Sequence, residues 1–419
     1  MSGIEQLAQT IAADLERRLP GQRKTQRGNL ALLVATMLQV RSANLMDVAA
    51  CLPRPAERLD SRYQWIKRFL ANARVVSDAV MAPYGREVLA RLSAQGQTVV
   101  LLIDQTKVSE RHQAVLVAVR LGGRALPLAW RVKETQGAIG FAEQRAALDR
   151  VAALLPAGVR PVLMGDRFYG SPALIAWRRE QGWDWRLRLK QDLPVFEDGG
   201  ETTLAACFAR GEHLLSDVAV TEQRVRTNVA MVHEAGHPEP WIIALSQTPS
   251  VPRAFDDGLR WGIEALFSDF KSRGFGLEDS QIRLPGRLDR LILVMALALH
   301  WAVSTGMWEA VHRPSSAKKT LPCQAQELCP VDCLLVQAGP AAHSRLPPPP
   351  DPHPIPLGCM AHPTKLTRGK HDPRPIIASH DRSWHNPSDL LGHDCRPRAV
   401  PSLCSHRLPA CNPMEPPRG

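Results

Sequence analysis

Three acidic side chains stand where a chain could place them for phosphodiester chemistry. Asp104 follows the apolar, β-branched run Thr98–Ile103, and Asp166 follows a second run, Val162–Met164. Such runs read as buried strands. Carboxylates at the carboxyl ends of neighbouring strands meet at the rim of a sheet, where ligands bind in open α/β folds. Singly, each aspartate reads as well as a turn residue or helix cap. The third acid, Glu264, lies in DDGLRWGIEALFSDFKSRG. At about 100° per residue, Arg260, Glu264 and Lys271 share one ridge, beside an apolar stripe of Leu259, Ile263, Leu266 and Phe270. On its own the Arg260–Glu264 spacing is a surface ion pair of about 0.3–0.5 kcal/mol; the company of two strand-end aspartates makes it a candidate site.

Convergence of three acids has a definite chemical meaning. Two like charges about 4 Å apart repel by roughly 4 kcal/mol at an effective dielectric near 20, so the trio requires a cation or a proton. Oxygen-only ligands suit Mg²⁺ or Mn²⁺. Two such ions about 3.5–4 Å apart activate an attacking hydroxyl and stabilise the leaving oxygen of an in-line displacement. Arg260 and Lys271 would then pair with phosphates beside the metals.

The elements that must position these residues are legible in part. Residues 1–95 read as a helical region, with apolar residues at three- and four-residue spacing in Ile4–Leu19 and Leu30–Gln39. In Ala56–Asn72, Leu59, Tyr63, Ile66, Phe69 and Leu70 form one face, while Arg58, Arg62, Lys67 and Arg68 fall largely elsewhere. That basic face is a candidate for DNA phosphate contacts, or an ordinary solvated helix face. From residue 96 the pattern becomes strand, strand, strand, helix, strand, helix, strand, with Gly122-Gly123 as a hairpin turn and Ser171-Pro172 opening a helix. The layout expected is α/β and RNase H-like, covering 96–191 and 251–312. A β-rich insertion is expected over 192–250, and helices over about Phe255–Arg273 and Arg287–Val311.

The bulk numbers agree with an anionic partner. Lys plus Arg exceed Asp plus Glu by 52 to 41, a net charge of +11, which favours nucleic acid over membrane. Met1–Arg17 carries acids early and lacks an apolar core, so no secretory signal is expected. The longest apolar run, Leu291–Leu299, falls short of the about 20 residues that span a bilayer, and a cytoplasmic, nucleoid-associated protein is expected. Segment 313–419 differs in kind: it holds 21 of the 35 prolines and seven of the nine cysteines. It reads as a Pro/Cys/His-rich disordered tail, consistent with out-of-frame translation after a frameshift near residue 313. Cys323, Cys329 and Cys333 miss the spacing of zinc ligands.

The helix around Glu264 resembles the YREK signature of DDE insertion-sequence transposases of the IS-four type. Arg260, Glu264 and Lys271 match R-(3 residues)-E-(6 residues)-K, and LLIDQTK and VLMGDRFYGSPAL are similar to the family's first and second aspartate blocks. The resemblance covers residues 1 to about 311. It implies a helical N-terminal DNA-binding region, an RNase H-like catalytic core and a β-rich insertion. It also implies catalytic and metal-ligating roles for Asp104, Asp166 and Glu264, and contacts from Arg260 and Lys271 to end phosphates. Family members act as homodimers on transposon-end double-stranded DNA, cut through a hairpin with a flipped base, and join the ends to target DNA. This chain departs from the signature at Asp257, where the family has tyrosine. Trp241 is a candidate to stack a flipped base or a core residue, and Phe168 and Tyr169 are expected to pack beneath the site. The expected function is therefore a cut-and-paste transposase. A metal-dependent nuclease of the same layout and a DNA-binding remnant without activity are the alternatives.

Overall fold

The computed structural model describes residues 2–55, 58–197, 200–233, 237, 239–271 and 273–312. The expected disordered segment 313–419, with its cysteine cluster, and the side chain of Asp257 lie outside the described residues.

Five helices open the chain: α1 (Gly3–Arg18), α2 (Lys24–Val40), α3 (Leu45–Cys51), α4 (Leu59–Leu70) and α5 (Ser77–Ala94). The start of α1 is set by a capping box in which Ser2 and Glu5 satisfy each other's backbone N–H groups. Ile11 and Leu15 of α1 and Leu30, Val34 and Met37 of α2 face inward, as their spacing predicts. On α4, Ile66, Phe69 and Leu70 are buried, whereas Leu59 at its first turn is 38% exposed.

The sheet begins with a meander of β1 (Val100–Ser109), β2 (His112–Leu121) and β3 (Arg124–Glu134). β2 and β3 turn through Gly122-Gly123, with Leu121 paired to Arg124 and Gly122 at φ 61°, the left-handed backbone a two-residue hairpin turn needs. Next come α6 (Phe141–Ala152), β4 (Val162–Gly165), α7 (Pro172–Gln181) and β5 (Asp184–Arg188). Ser171 caps α7 by accepting from the Leu174 N–H at 3.3 Å. β4 lies parallel to β1 and β5 parallel to β4.

The remaining strands are β6 (Pro194–Glu197), β7 (Gly200–Thr203), β8 (Leu214–Val220), β9 (Val225–Val232) and β10 (Trp241–Leu245), with α8 (Leu204–Ala209) between β7 and β8. The run expected as an insertion is β-rich, and its strands continue the same sheet. β10 pairs antiparallel with β5, giving the ten-stranded order β3-β2-β1-β4-β5-β10-β9-β8-β6-β7. β10 is buried on both faces: Ile242 and Ala244 face the main core while Trp241, Ile243 and Leu245 face a smaller cluster with Ala254.

The chain closes with α9 (Val251–Phe255), a 3₁₀ turn (Asp256–Trp261), α10 (Gly262–Phe270), a second 3₁₀ turn (Leu277–Ser280) and α11 (Pro285–His312). One expectation changes here and one holds. The single helix anticipated over Phe255–Arg273 is divided by a 3₁₀ stretch and ends at Phe270, whereas the helix anticipated over Arg287–Val311 is present as α11. From Pro285 to Glu309, α11 has the length and mean hydropathy (1.7) to cross a bilayer, although its longest unbroken apolar run is short. Slightly more than half of that stretch is buried inside the protein, and Leu291 through Leu299 pack into the main core. It is a core helix, shared between the N-terminal helices and β3.

Candidate active site

β1 brings Leu101, Leu102 and Ile103 into the core with no exposed surface, then carries on past Asp104 to Ser109. The strand does not stop at Asp104, as its sequence suggested; its parallel partner does. Ile103 pairs with Gly165, the last residue of β4, and beyond it β1 pairs with β2 alone. Asp104 therefore sits where the sheet opens on one side, and Asp166 occupies the next position after β4. The Asp166 carboxylate accepts the Phe168 N–H at 2.9 Å and its carbonyl accepts the Tyr169 N–H at 3.0 Å, a turn that Asp stabilises through its own backbone.

Tyr169 folds back under this turn and is fully buried. Gly165 makes room for it: a Cβ there would stand 2.8 Å from Tyr169 Cβ and 3.1 Å from Ile103 Cγ2. Burial and the charges of Asp104 and Asp166 push the Tyr169 phenol well above its ordinary pKa. Its hydroxyl has no hydrogen-bond partner among the described residues. Phe168, expected beneath the site, is instead 42% exposed.

Glu264 reaches the same rim because α10 lies across β1, β2 and β3. Gly262 allows the approach: a Cβ there would meet the Arg124 carbonyl oxygen at 3.1 Å. At the other end of α10, buried Asp269 pairs with Arg124 at 3.0 Å. Ile263, Leu266 and Phe270 are buried as the apolar stripe predicts. The 3₁₀ turn just before α10 swings Arg260 inward, where it is 7% exposed. Arg260 Nη1 lies 3.9 Å from Asp104 Oδ2 and 3.6 Å from Glu264 Oε1, so one guanidinium stands between two of the acids.

The electrostatics register the crowding. Burial first, then the charge of Asp166, with a smaller push from Glu264, raise the Asp104 pKa to about 7; the Gln105 N–H and Arg260 pull against them. A carboxyl half-neutral at physiological pH is what burial, reinforced by a like charge beside it, produces. Three carboxylates are the oxygen donors here, the type of ligand a hard divalent cation takes, and the Arg260 guanidinium stands among them as a competing positive charge. The acids are not drawn fully together in the protein alone. Among the described residues, the group whose ligand atoms all lie within 4.8 Å is Glu197, Cys207 and Glu212. Arg210 ion-pairs with both of those glutamates.

The expected basic residues are placed unequally. Lys271 follows α10 and pairs with Glu278 at 3.5 Å, roughly 10 Å along the helix axis from Glu264 at 1.5 Å per residue; with the helix broken, the common ridge ends before it. Arg58 and Arg68 are exposed at the two ends of α4. Lys67 lies 5.3 Å over the Tyr63 ring. Arg62 donates to the Ala50 and Leu52 carbonyls at 3.1 and 3.4 Å, tying α4 to the end of α3.

One feature near the acids was missed in the sequence. A polar cavity of about 270 Å³ is lined by Arg167, Arg188, His237 and Trp241. Arg188 covers the Trp241 ring at 4.6 Å, and Trp241 is 8% exposed. The position of Arg167 directly after Asp166 was the available signal; the partner strand β10 was not. No family model matches the chain, and no curated protein matches it either.

Proposed function

We propose that this chain is a DNA-cutting and DNA-joining enzyme of the DDE transposase kind, built on an RNase H-like core. The observation that carries this reading is that Asp104, Asp166 and Glu264, separated by 62 and 98 positions in the chain, lie near one opening of the sheet, with Arg260 between Asp104 and Glu264 and the charge of Asp166 felt at Asp104. The strand order β3-β2-β1-β4-β5, antiparallel through its first three and parallel through β1, β4 and β5, supports the RNase H-like assignment. The basic excess of the chain supports a DNA partner.

Asp104, Asp166 and Glu264 would hold the metal, Mg²⁺ or Mn²⁺, with two ions as the natural complement. Bound there, it supplies a lowered pKa for an attacking hydroxyl and charge stabilisation for the leaving oxygen. The protein's own groups have separate tasks. Asp104 gives up the proton that its raised pKa lets it keep at neutral pH. Arg260 offsets part of the charge of Asp104 and Glu264 in the free protein and is within reach of a phosphate brought to the rim, where a planar guanidinium pairs in a fork. Tyr169 and the apolar residues around it keep water from the inner side of the acids. DNA enters as transposon-end and target duplexes, and a homodimer would pair the ends.

A second reading, a DNA-binding remnant without activity, draws support from Asp257, which adds an acid where the signature has a tyrosine. The test uses the full chain, Mg²⁺, a duplex taken from the DNA flanking the gene, and a supercoiled plasmid. A joined product supports the transposase. Cutting without joining supports a nuclease, and binding without either supports the remnant. Asp104→Asn should abolish cutting while leaving duplex affinity within about twofold, because it removes no phosphate contact. Persistent cutting would remove Asp104 from the chemistry.

A further inference from the structure

We propose that the cleft between α4 and the connection from α10 to α11 is a pocket for a backbone phosphate of double-stranded DNA. The inference rests on the DNA reading above and adds a site away from the acids. The cleft encloses about 470 Å³. Lys67 of α4 lines one wall; Ser280, Arg283 and Arg287 line the other, with Asp279 beside them. Three cations thus face one hollow against one acid, contributed by segments more than 200 positions apart.

The hollow is built around unmet hydrogen-bonding groups. Ser280 is 6% exposed, and its Oγ has no hydrogen-bond partner among the described residues; neither does buried Nε of Arg287. Burying such groups unpaired is costly, and like charges around an empty space add to the cost. A phosphate oxygen relieves both. The amino end of α11, a 28-residue helix starting at Pro285, borders the cleft and adds its positive dipole end, which suits an anion.

The two walls are held in register before any ligand arrives. Arg290 of α11 donates to the Leu70 and Val75 carbonyls, each at 3.1 Å, clamping α11 to the end of α4. The Ala43 N–H donates to the Phe275 carbonyl at 2.5 Å, tying the α2–α3 loop to the α10–α11 connection. A phosphate seated here bridges the N-terminal helices and the segment that carries Glu264. A polyanion is favoured over a free phosphate because the chain carries a net charge of +11 and two further exposed cations, Arg58 and Arg68, stand at the two ends of α4 beyond the cleft.

The experiment measures affinity of the full chain for a short duplex across a salt series, with inorganic phosphate as a second probe. Lys67→Gln combined with Arg283→Gln should reduce the slope of log affinity against log salt by about 1, the share of one phosphate contact, with a several-fold loss of affinity. Asp279→Asn should tighten binding, a change of opposite sign that misfolding cannot produce. Wild-type duplex binding with slope and affinity unaltered in both variants overturns the pocket while leaving the DNA reading intact. Absence of duplex binding by the wild type overturns that reading and the pocket with it. If millimolar inorganic phosphate protects the wild type from thermal unfolding while the variants bind duplex normally, the site takes a free phosphate and the nucleic-acid assignment fails.

Discussion

Asp104→Asn should stabilise the metal-free protein by an amount that grows as pH rises from about 4 to about 7 and is constant above that. The sign follows from linkage. Unfolded, the Asp104 carboxyl titrates near its ordinary 3.8; folded, near about 7. Between those values the folded state holds a proton the unfolded state has lost, so stability falls as pH rises through the window. Three units at about 1.4 kcal/mol each give about 4 kcal/mol as the most that ionisation can cost. The side chain is 17% exposed, which trims the figure to about 2–4 kcal/mol after solvent screening. Asparagine keeps the shape of the protonated acid and cannot ionise, so the penalty disappears. Urea unfolding of wild type and variant, followed by circular dichroism from pH 4 to 8.5 with chelator, measures the difference directly. It should be near zero at pH 4 and reach its full size by about pH 8. Saturating Mg²⁺ should narrow it at pH 8, because only the wild type gains the ligand's stabilisation. A variant that is less stable at pH 8, or a difference that does not change with pH, would refute the raised Asp104 pKa and with it the burial of this carboxyl beside Asp166.

A second titration runs the other way. Burial, with Arg18 and Arg91 nearby, lowers the His300 pKa to about 4, against the smaller opposing pull of Glu87 and Asp14. Stability should therefore be lost as pH falls from 6.5 to 4, by up to about 3 kcal/mol, and His300→Gln should remove that acid-side slope; an unchanged slope would exclude His300 as its source. Arg62→Ala should cost about 1–2 kcal/mol of stability by losing the Ala50 and Leu52 carbonyl contacts and leave the salt dependence of DNA binding unchanged. Arg68→Ala should do the reverse, lowering the salt slope by about 1; matching effects of the two would dissolve the distinction. Gly165→Ala should destabilise by about 1–3 kcal/mol through overpacking against Tyr169 and Ile103, seen as a lower thermal midpoint, and a neutral result would mean the turn at Asp166 has slack.

Local patterns in the chain were sufficient for the parts of the fold that neighbours in sequence decide. Gly122-Gly123 meant a hairpin because only that backbone makes a two-residue turn with the right twist. Ser171-Pro172 meant a helix start, and the Ile263, Leu266, Phe270 spacing marked the buried side of α10, since burial follows helical period. The types of the three acids and the strands before two of them were legible for the same reason. What the chain could not disclose locally is pairing and interruption. Asp104 lies at an opening because β4 ends one residue pair earlier, a fact about another strand. The β-rich run joins the central sheet because β10 finds β5, a contact that period-2 alternation permits but does not name. Arg260 lies buried between two acids at the end of a 3₁₀ turn, and Lys271, just past the end of α10, turns to Glu278, neither of which the helical period announces. Side-chain periodicity reports which face is apolar; which surface receives that face, and where the backbone must yield to fit it, is decided only when distant segments compete for the same space.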